Sequence, residues 1–160
     1  MLTLCVSFVV ALLDQLTKVV VLKSFVLGER REVIQGLFDL RYVQNTGAAW
    51  GMLQGLSHWL VALSILMLVV IVVFRRHFIK SNVWYRLAMG LMIGGIWGNL
   101  IDRVRLGYVV DFLDFFWKLH HFPAFNLADS AICTGVGLYV LLQLIEKPVR
   151  SDDAGGKGAH

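Results

Sequence analysis

The chain has 160 residues, of which 58% are hydrophobic and only 16% charged, with a formal net charge of +4. Soluble domains run at about 45–50% apolar and about 25% charged, so this composition excludes an ordinary soluble domain and points to an integral membrane protein. The positive charge is not that of a nucleic-acid binder, because the basic residues are dispersed among apolar runs without an aromatic-basic stripe; basic loops facing anionic lipid account for it.

Four apolar runs follow in chain order, 2–22, 57–74, 83–101 and 128–145. Each approaches the roughly 20 residues needed to cross a hydrocarbon core about 30 Å thick. No basic segment precedes the first run, so it reads as a retained helix and not a cleaved leader. Cys5 and Cys133 both lie inside apolar runs, where they read as small hydrophobes and not as disulfide or metal ligands. Between the first two runs, residues 32–44 alternate in β-branched and aromatic character around Gly36, which predicts two short strands resting on the membrane surface. Asn45 to Gly51 supplies turn chemistry, and a short amphipathic helix is expected after it. Arg75, Arg76, Lys80 and Arg86 follow the second run with no acid among them, which assigns that connection, and with it both termini, to the cytoplasm.

The connection 102–127 reads as an outer loop carrying Asp111, Asp114 and an aromatic stretch in which Trp117, His120, His121 and Pro123 serve as interfacial anchors. The polar tail, 149–160, reads as disordered and cytoplasmic. The expected fold is therefore an all-α integral membrane protein, one membrane-embedded domain over 1–148, with four transmembrane helices, a small extracytoplasmic β-sheet and a short amphipathic helix.

With this topology the polar residues of five segments reach one depth, the outer interface. Asp14 and Lys18 stand one turn apart on the first helix, Asn99, Asp102 and Arg103 share one face of the third, and Asn126 and Asp129 open the fourth. Asn45 and Asp111 come from the two outer connections. Taken singly, each is explained by a helix cap or a local ion pair. An Asp at a membrane-helix centre costs about 2.5–3.5 kcal/mol on insertion scales, so convergence of several such groups argues for a site. Gly90, Gly94 and Gly98, four apart, form a face for close helix contact and carry no chemistry.

The histidines lack metal-ligand spacing, and no nucleophile elbow or phosphate loop is present. Ser130 with Lys18 imitates a Ser-Lys hydrolase, but Ser130 directly follows Asp129 and points about 100° away from it on a helix. What remains is a pair of carboxylates, Asp111 and Asp129, able to share one proton and hydrolyse a peptide bond as general base and general acid. The alternative is a proton-coupled transporter using Asp14, Lys18, Asp111 and Asp129, which predicts polar groups throughout the membrane depth, whereas the inner halves of these runs are almost purely apolar. A structural assembly partner held by the glycine face leaves the polar layer unexplained.

Asp14-Gln-x-Thr-Lys18, Asn45-Thr-Gly47-Ala-Ala, Gly98-Asn99-x-x-Asp102-Arg103, Val110-Asp111-Phe112 and Phe125-Asn126-x-Ala-Asp129-Ser130 occur in one order along the chain. Together they resemble the lipoprotein signal peptidase (signal peptidase II) family of the bacterial inner membrane. The resemblance implies an aspartic endopeptidase that cuts signal peptides from diacylglyceryl-modified prolipoproteins just before the lipidated cysteine, with Asp111 and Asp129 as its dyad. It further implies that Asn126 orients the dyad, that Asn45, Gly47, Asn99 and Arg103 hold substrate, and that Asp14, Lys18 and Asp102 brace the site. No metal or cofactor is implied. The partners implied are the prolipoprotein and membrane lipid, for a monomer whose active site faces the periplasm.

Overall fold

The computed structural model describes residues 1–47, 55–79, 82–118 and 120–146. Four long helices, α1 (Leu2–Ser24), α2 (Ser57–Val73), α4 (Val83–Leu106) and α5 (Leu127–Ile145), are joined by a short α3 (Arg75–Phe78) and by strands. The strands β1 (Arg30–Ile34), β2 (Phe38–Asn45), β3 (Val109–Trp117) and β4 (His120–His121) form one antiparallel sheet in the order β1-β2-β3-β4. The expected amphipathic helix after Gly51 begins on 52–54 and the tail occupies 149–160, both outside the described residues.

The expected small sheet is present with four strands and not two, which makes the all-α label too narrow and corrects the reading of 102–127 as a loop. α4 continues to Leu106, and Gly107, in the left-handed conformation at φ +82°, ends it by donating its N–H to the Arg103 carbonyl. The chain then enters β3, whose Val-Val-Asp-Phe-Leu-Asp-Phe-Phe-Trp sequence is the β-branched and aromatic mixture that suits a pleated, buried surface. Its partner is β2, with Val43 opposite Asp111 and Asn45 opposite Val109. The β1–β2 turn lies around Gly36 as the sequence predicts: Gly36 has φ +73°, and the Leu37 N–H bonds the Ile34 carbonyl. Val110 and Phe112 of β3 pack with Tyr42 of β2 on Val21 of α1, which seats the sheet on the end of that helix.

α1 and α5 are long and apolar enough to cross a membrane, and α2 is a shorter apolar helix of 17 residues. Their outward faces carry exposed Leu4, Phe8, Leu12, Leu16 and Val20, then Leu63 and Leu66, then Val140, Leu141 and Leu144. Buried instead are Asp14, Lys18, Asn99, Asp102, Asp111 and Asn126. Apolar patches of this extent on soluble monomers are rare, and apolar outside with polar inside is the arrangement of a membrane protein.

α4 packs between α1 and α5, and glycine sets both contacts. A Cβ on Gly90 or Gly94 would lie 2.7 Å from the Cβ of Val6 or Val10 of α1, and one on Gly98 would strike the Asp14 carboxylate. Gly95 lies on the other side, against the Ala128 carbonyl and 2.7 Å, Cβ to Cγ1, from Ile132 of α5. Gly95→Ala is therefore expected to destabilise by about 1–3 kcal/mol through overpacking. Gly137→Ala, with nothing within 4 Å of its Cβ, should be neutral or stabilising by up to about 1 kcal/mol. Thermal unfolding of the two variants in one detergent checks the pair; equal melting temperatures would contradict the packing argument.

These contacts also fix depth. Asp14, Gly98 and Ala128 meet at one level, since the Ala128 N–H donates to Asp14 Oδ1 and a Gly98 Cβ would touch both residues. α1 continues ten residues beyond that level to Ser24, a rise of about 15 Å, whereas α5 begins there. The start of α5 is thus the floor of a recess walled by the last turns of α4 and by the sheet.

Candidate active site

Each carboxylate is delivered to the recess by a different kind of element. Asp111 sits on β3, which is tied to α4 by the Val110 N–H donating to Asp102 Oδ2 at 3.0 Å. Asp129 occupies the first turn of α5 in a capping box: Asn126 Oδ1 accepts from the Asp129 N–H at 2.9 Å, and Asp129 Oδ2 accepts from the Asn126 N–H at 3.3 Å. Phe125 joins the two elements. It exchanges backbone hydrogen bonds with Leu113 of β3, 2.8 and 3.1 Å long, one residue before Asn126 caps α5.

Two asparagine amides connect the carboxylates. Asn126 Nδ2 donates to Asp111 Oδ1 at 2.7 Å and to Asn99 Oδ1 at 3.1 Å, and Asn99 Nδ2 donates to Asp129 Oδ1 at 2.7 Å. Asn45 Nδ2 donates to Asp111 Oδ2 at 2.9 Å, while its own Oδ1 accepts the Gly47 N–H at 3.0 Å, a turn that fixes the orientation of the amide. Burial, followed by the nearby negative charge of Asp129, pushes the Asp111 carboxyl up to about 7, against the opposing hydrogen bonds from Asn45 and Asn126.

Beneath this layer lies a buried ion cluster. Lys18 Nζ contacts Asp14 Oδ2 at 2.9 Å, Asp102 Oδ2 at 3.0 Å and Asn99 Oδ1 at 2.9 Å. Asp14 and Lys18 thus form the expected pair one turn apart, with Asp102 added from α4. Gln15 completes it, donating to Asp102 Oδ1 at 2.9 Å and to the Gly98 carbonyl at 3.1 Å. Sequence reasoning leaves Gln15 out of the site, although its place inside the Asp14-to-Lys18 motif is a legible signal. Lys18 spends its donors on these three partners, and the Ser130 hydroxyl donates to the Asn126 carbonyl at 2.9 Å, so the two do not form a Ser-Lys pair.

A cavity of about 640 Å³ opens onto the carboxylates. Asn45, Asn99, Arg103, Asp111 and Asp129 line its polar end, and Phe122, Pro123, Phe125, Ile132 and Cys133 its apolar wall. Arg103 Nη2 donates to the Gly47 carbonyl at 3.3 Å, whereas its buried Nε has no hydrogen-bond partner among the described residues. Asp14, Lys18, Asp102 and Asn126 stand behind the lining. Of the residues expected to anchor at the membrane interface, Pro123 contributes wall to the cavity together with Phe122, Ala124 and Phe125, and Trp117 is exposed as an anchor would be. Cys5 and Cys133 are both free. Among the described residues no group of His, Cys, Asp and Glu is arranged to hold a metal ion. The constellation is two carboxylates in one cavity, each held by amide donors, with a cation beside them, an arrangement chemically able to exchange protons with a bound water.

A family model described as signal peptidase (SPase) II matches residues 6–145. A lipoprotein signal peptidase of Syntrophotalea carbinolica is 43% identical over 143 residues, covering 88% of this chain and 89% of that protein. One of Symbiobacterium thermophilum is 42% identical over 148 residues, covering 92% and 97%. A bacterial membrane enzyme structure solved by the in meso method at 2.3 Å is similar with a TM-score of 0.80 and 33% identity, over 99% of this chain and 93% of that one. A second, at 1.9 Å, gives a TM-score of 0.78 and 34% identity over 91% and 94%.

Proposed function

The chain belongs to the signal peptidase II family, and from that premise we propose that it is an aspartic endopeptidase cutting diacylglyceryl-modified prolipoproteins immediately before the lipidated cysteine. Membership makes it a protease of lipoprotein processing; the aspartic mechanism rests on the site. The observation that carries it is that Asp111 and Asp129 line one cavity, and that nearly all their other polar contacts are amide donors.

In the proposed reaction the dyad holds one proton and binds a water between its carboxyls. One carboxylate takes a proton from the water as it attacks the carbonyl preceding the modified cysteine. The other protonates the developing oxyanion and then the leaving amine. The Asp111 carboxyl, pushed up to about 7, supports a dyad that keeps a proton at neutral pH. The apparent pKa values of the reaction belong to the pair. Arg103 lines the cavity and its buried Nε–H has no partner among the described residues, so its guanidinium is the group we assign to a substrate carbonyl, and the Asn45 amide holds Asp111 while facing the same cavity.

The apolar wall of Phe122, Pro123, Phe125 and Ile132 suits a substrate that arrives in lipid. We read all four long helices as membrane crossings, with α4, at 24 residues, spanning about 36 Å. Arg75, Arg76 and His77 precede the start of α4, and Asn99, Asp102 and Arg103 stand near its end. The positive-inside rule then supports a cytoplasmic face for the former and a site opening toward the outer face of the bacterial inner membrane. A monomer suffices, because all the site groups named come from one chain.

The test is cleavage of a diacylglyceryl-modified preprolipoprotein by the purified protein in lipid, beside the same substrate without its lipid. The modified substrate is expected to be cut at least about tenfold faster, since binding energy from the lipid is available to the reacting centre. Equal rates on the two substrates would remove the lipid-specific part of the proposal.

A further inference from the structure

We propose that Lys18 is a positioning residue for the two aspartates: by fixing which way the Asn99 amide faces, it holds the Oδ1 atoms of both carboxyls as acceptors and so fixes the orientation of the pair. The inference rests on the dyad reading above and adds to it a residue that does not line the cavity.

An ammonium donates and cannot accept. Lys18 Nζ lies 2.9 Å from one end of the Asn99 amide, so that end is Oδ1, and Nδ2 is turned to Asp129 Oδ1 at 2.7 Å. Reversing the amide would set NH₂ against NH₃⁺ and an oxygen against a carboxylate. The same Asn99 Oδ1 accepts from Asn126 Nδ2, which also donates to Asp111 Oδ1 at 2.7 Å. Asn126 is held from its other end, where its Oδ1 takes the Asp129 N–H. One cation thereby orients an amide that serves one aspartate directly and helps hold the amide that serves the other. Asn45 Nδ2 holds Asp111 Oδ2 and the Asn126 N–H holds Asp129 Oδ2, so the amide donors on the two Oδ1 atoms complete the orientation of each carboxyl. The charged groups around the dyad are Asp14 and Lys18 from α1, and Asp102 and Arg103 from α4.

Lys18 is itself held by Asp14 and Asp102, so the informative variant is Lys18→Met combined with Asp14→Asn, which leaves the net buried charge unchanged. Measured against Asp14→Asn alone, adding Lys18→Met is expected to lower kcat about 10²-fold with KM within about threefold, the signature of misplaced catalytic groups. In an Asn99→Ala background the same addition should change kcat by less than about threefold, because the amide it orients is gone. An equal fall in both backgrounds, or a change confined to KM, would overturn the proposal. A readout on the wild-type protein does not depend on the variants folding. In ¹⁵N-asparagine-labelled protein, the side-chain amide signals of Asn99 and Asn126 are expected to shift together as the dyad titrates, while that of Asn82 stays put. An Asn99 amide that ignores the titration would equally sink the idea. If Asp111→Asn or Asp129→Asn retains cleavage, the dyad reading fails. If both are inactive and the Lys18 effect is additive, only the positioning role fails.

Discussion

Asp111→Asn and Asp129→Asn will each lower kcat for prolipoprotein cleavage by at least about 10³-fold, since an amide can neither take a proton from the attacking water nor give one to the leaving amine. A wild-type rate in either well-folded variant would end the dyad reading. The Asp111 variant carries a second signature, in stability. Its carboxyl is pushed from 3.8 up to about 7 by burial and by Asp129, so between pH 4 and 7 the folded protein holds a proton that the unfolded chain has lost. Stability therefore falls as pH rises through that window, by on the order of 4 kcal/mol in total if the full shift is expressed. The opposite slope comes from Glu29, held low by the Val26 N–H and by Arg31. The quantity to measure is accordingly the difference between wild type and Asp111→Asn, by chemical unfolding at several pH values. The substituted amide cannot titrate, so the stability of the variant relative to wild type should rise from pH 4 to 7 and then level. A flat difference would show that Asp111 ionises in place at its ordinary pKa.

Lys18→Met on its own is expected to cause the largest loss of stability, about 3–5 kcal/mol, because it strands buried charge. Asp14 and Asp102 would both remain in the interior without the ammonium that lies 2.9 and 3.0 Å from them. Adding Asp14→Asn should recover part of the loss: its amide oxygen still accepts the Ala128 N–H, and one stranded charge is removed. Thermal unfolding in detergent, followed by the loss of a monodisperse peak in size-exclusion chromatography, ranks the variants. A Lys18→Met protein as stable as wild type, or one not improved by Asp14→Asn, would mean that water reaches this cluster in the folded state.

Much of the architecture is legible before folding because its signals are local. Apolar runs long enough for a bilayer mark the helices to within a few residues except at the end of α4, where Asn99, Asp102 and Arg103 interrupt the hydropathy although the helix runs on to Leu106. Spacings of three and four locate Asp14 with Lys18, Asn99 with Asp102 and Arg103, and Asn126 with Asp129, since residues so spaced share a helix face whatever the helix packs against. Gly90, Gly94 and Gly98 declare a contact face in the same way, but not that the last of them makes room for the Asp14 carboxylate.

The order of residues along the chain thus supplies the set of groups and the local element that carries most of them: an apolar exterior, acids and amides at helix-face spacing, and a motif order that identifies the family. Placing Asp111 on a strand took the folded chain, because the partner that makes it one, Val43, stands far back in the sequence and a strand has no hydrogen bonds of its own. Folding likewise brings Gln15 to the ion cluster of α4 and makes the Phe122-to-Phe125 segment a wall of the cavity. It also sets the depth of the recess, through the contact of Ala128 with Asp14. Helix periodicity states which residues share a face. Where a helix begins relative to its neighbours is settled by the packing between them, and in this protein that packing sets Asp129 below the ends of α1 and α4, under the strand that carries Asp111.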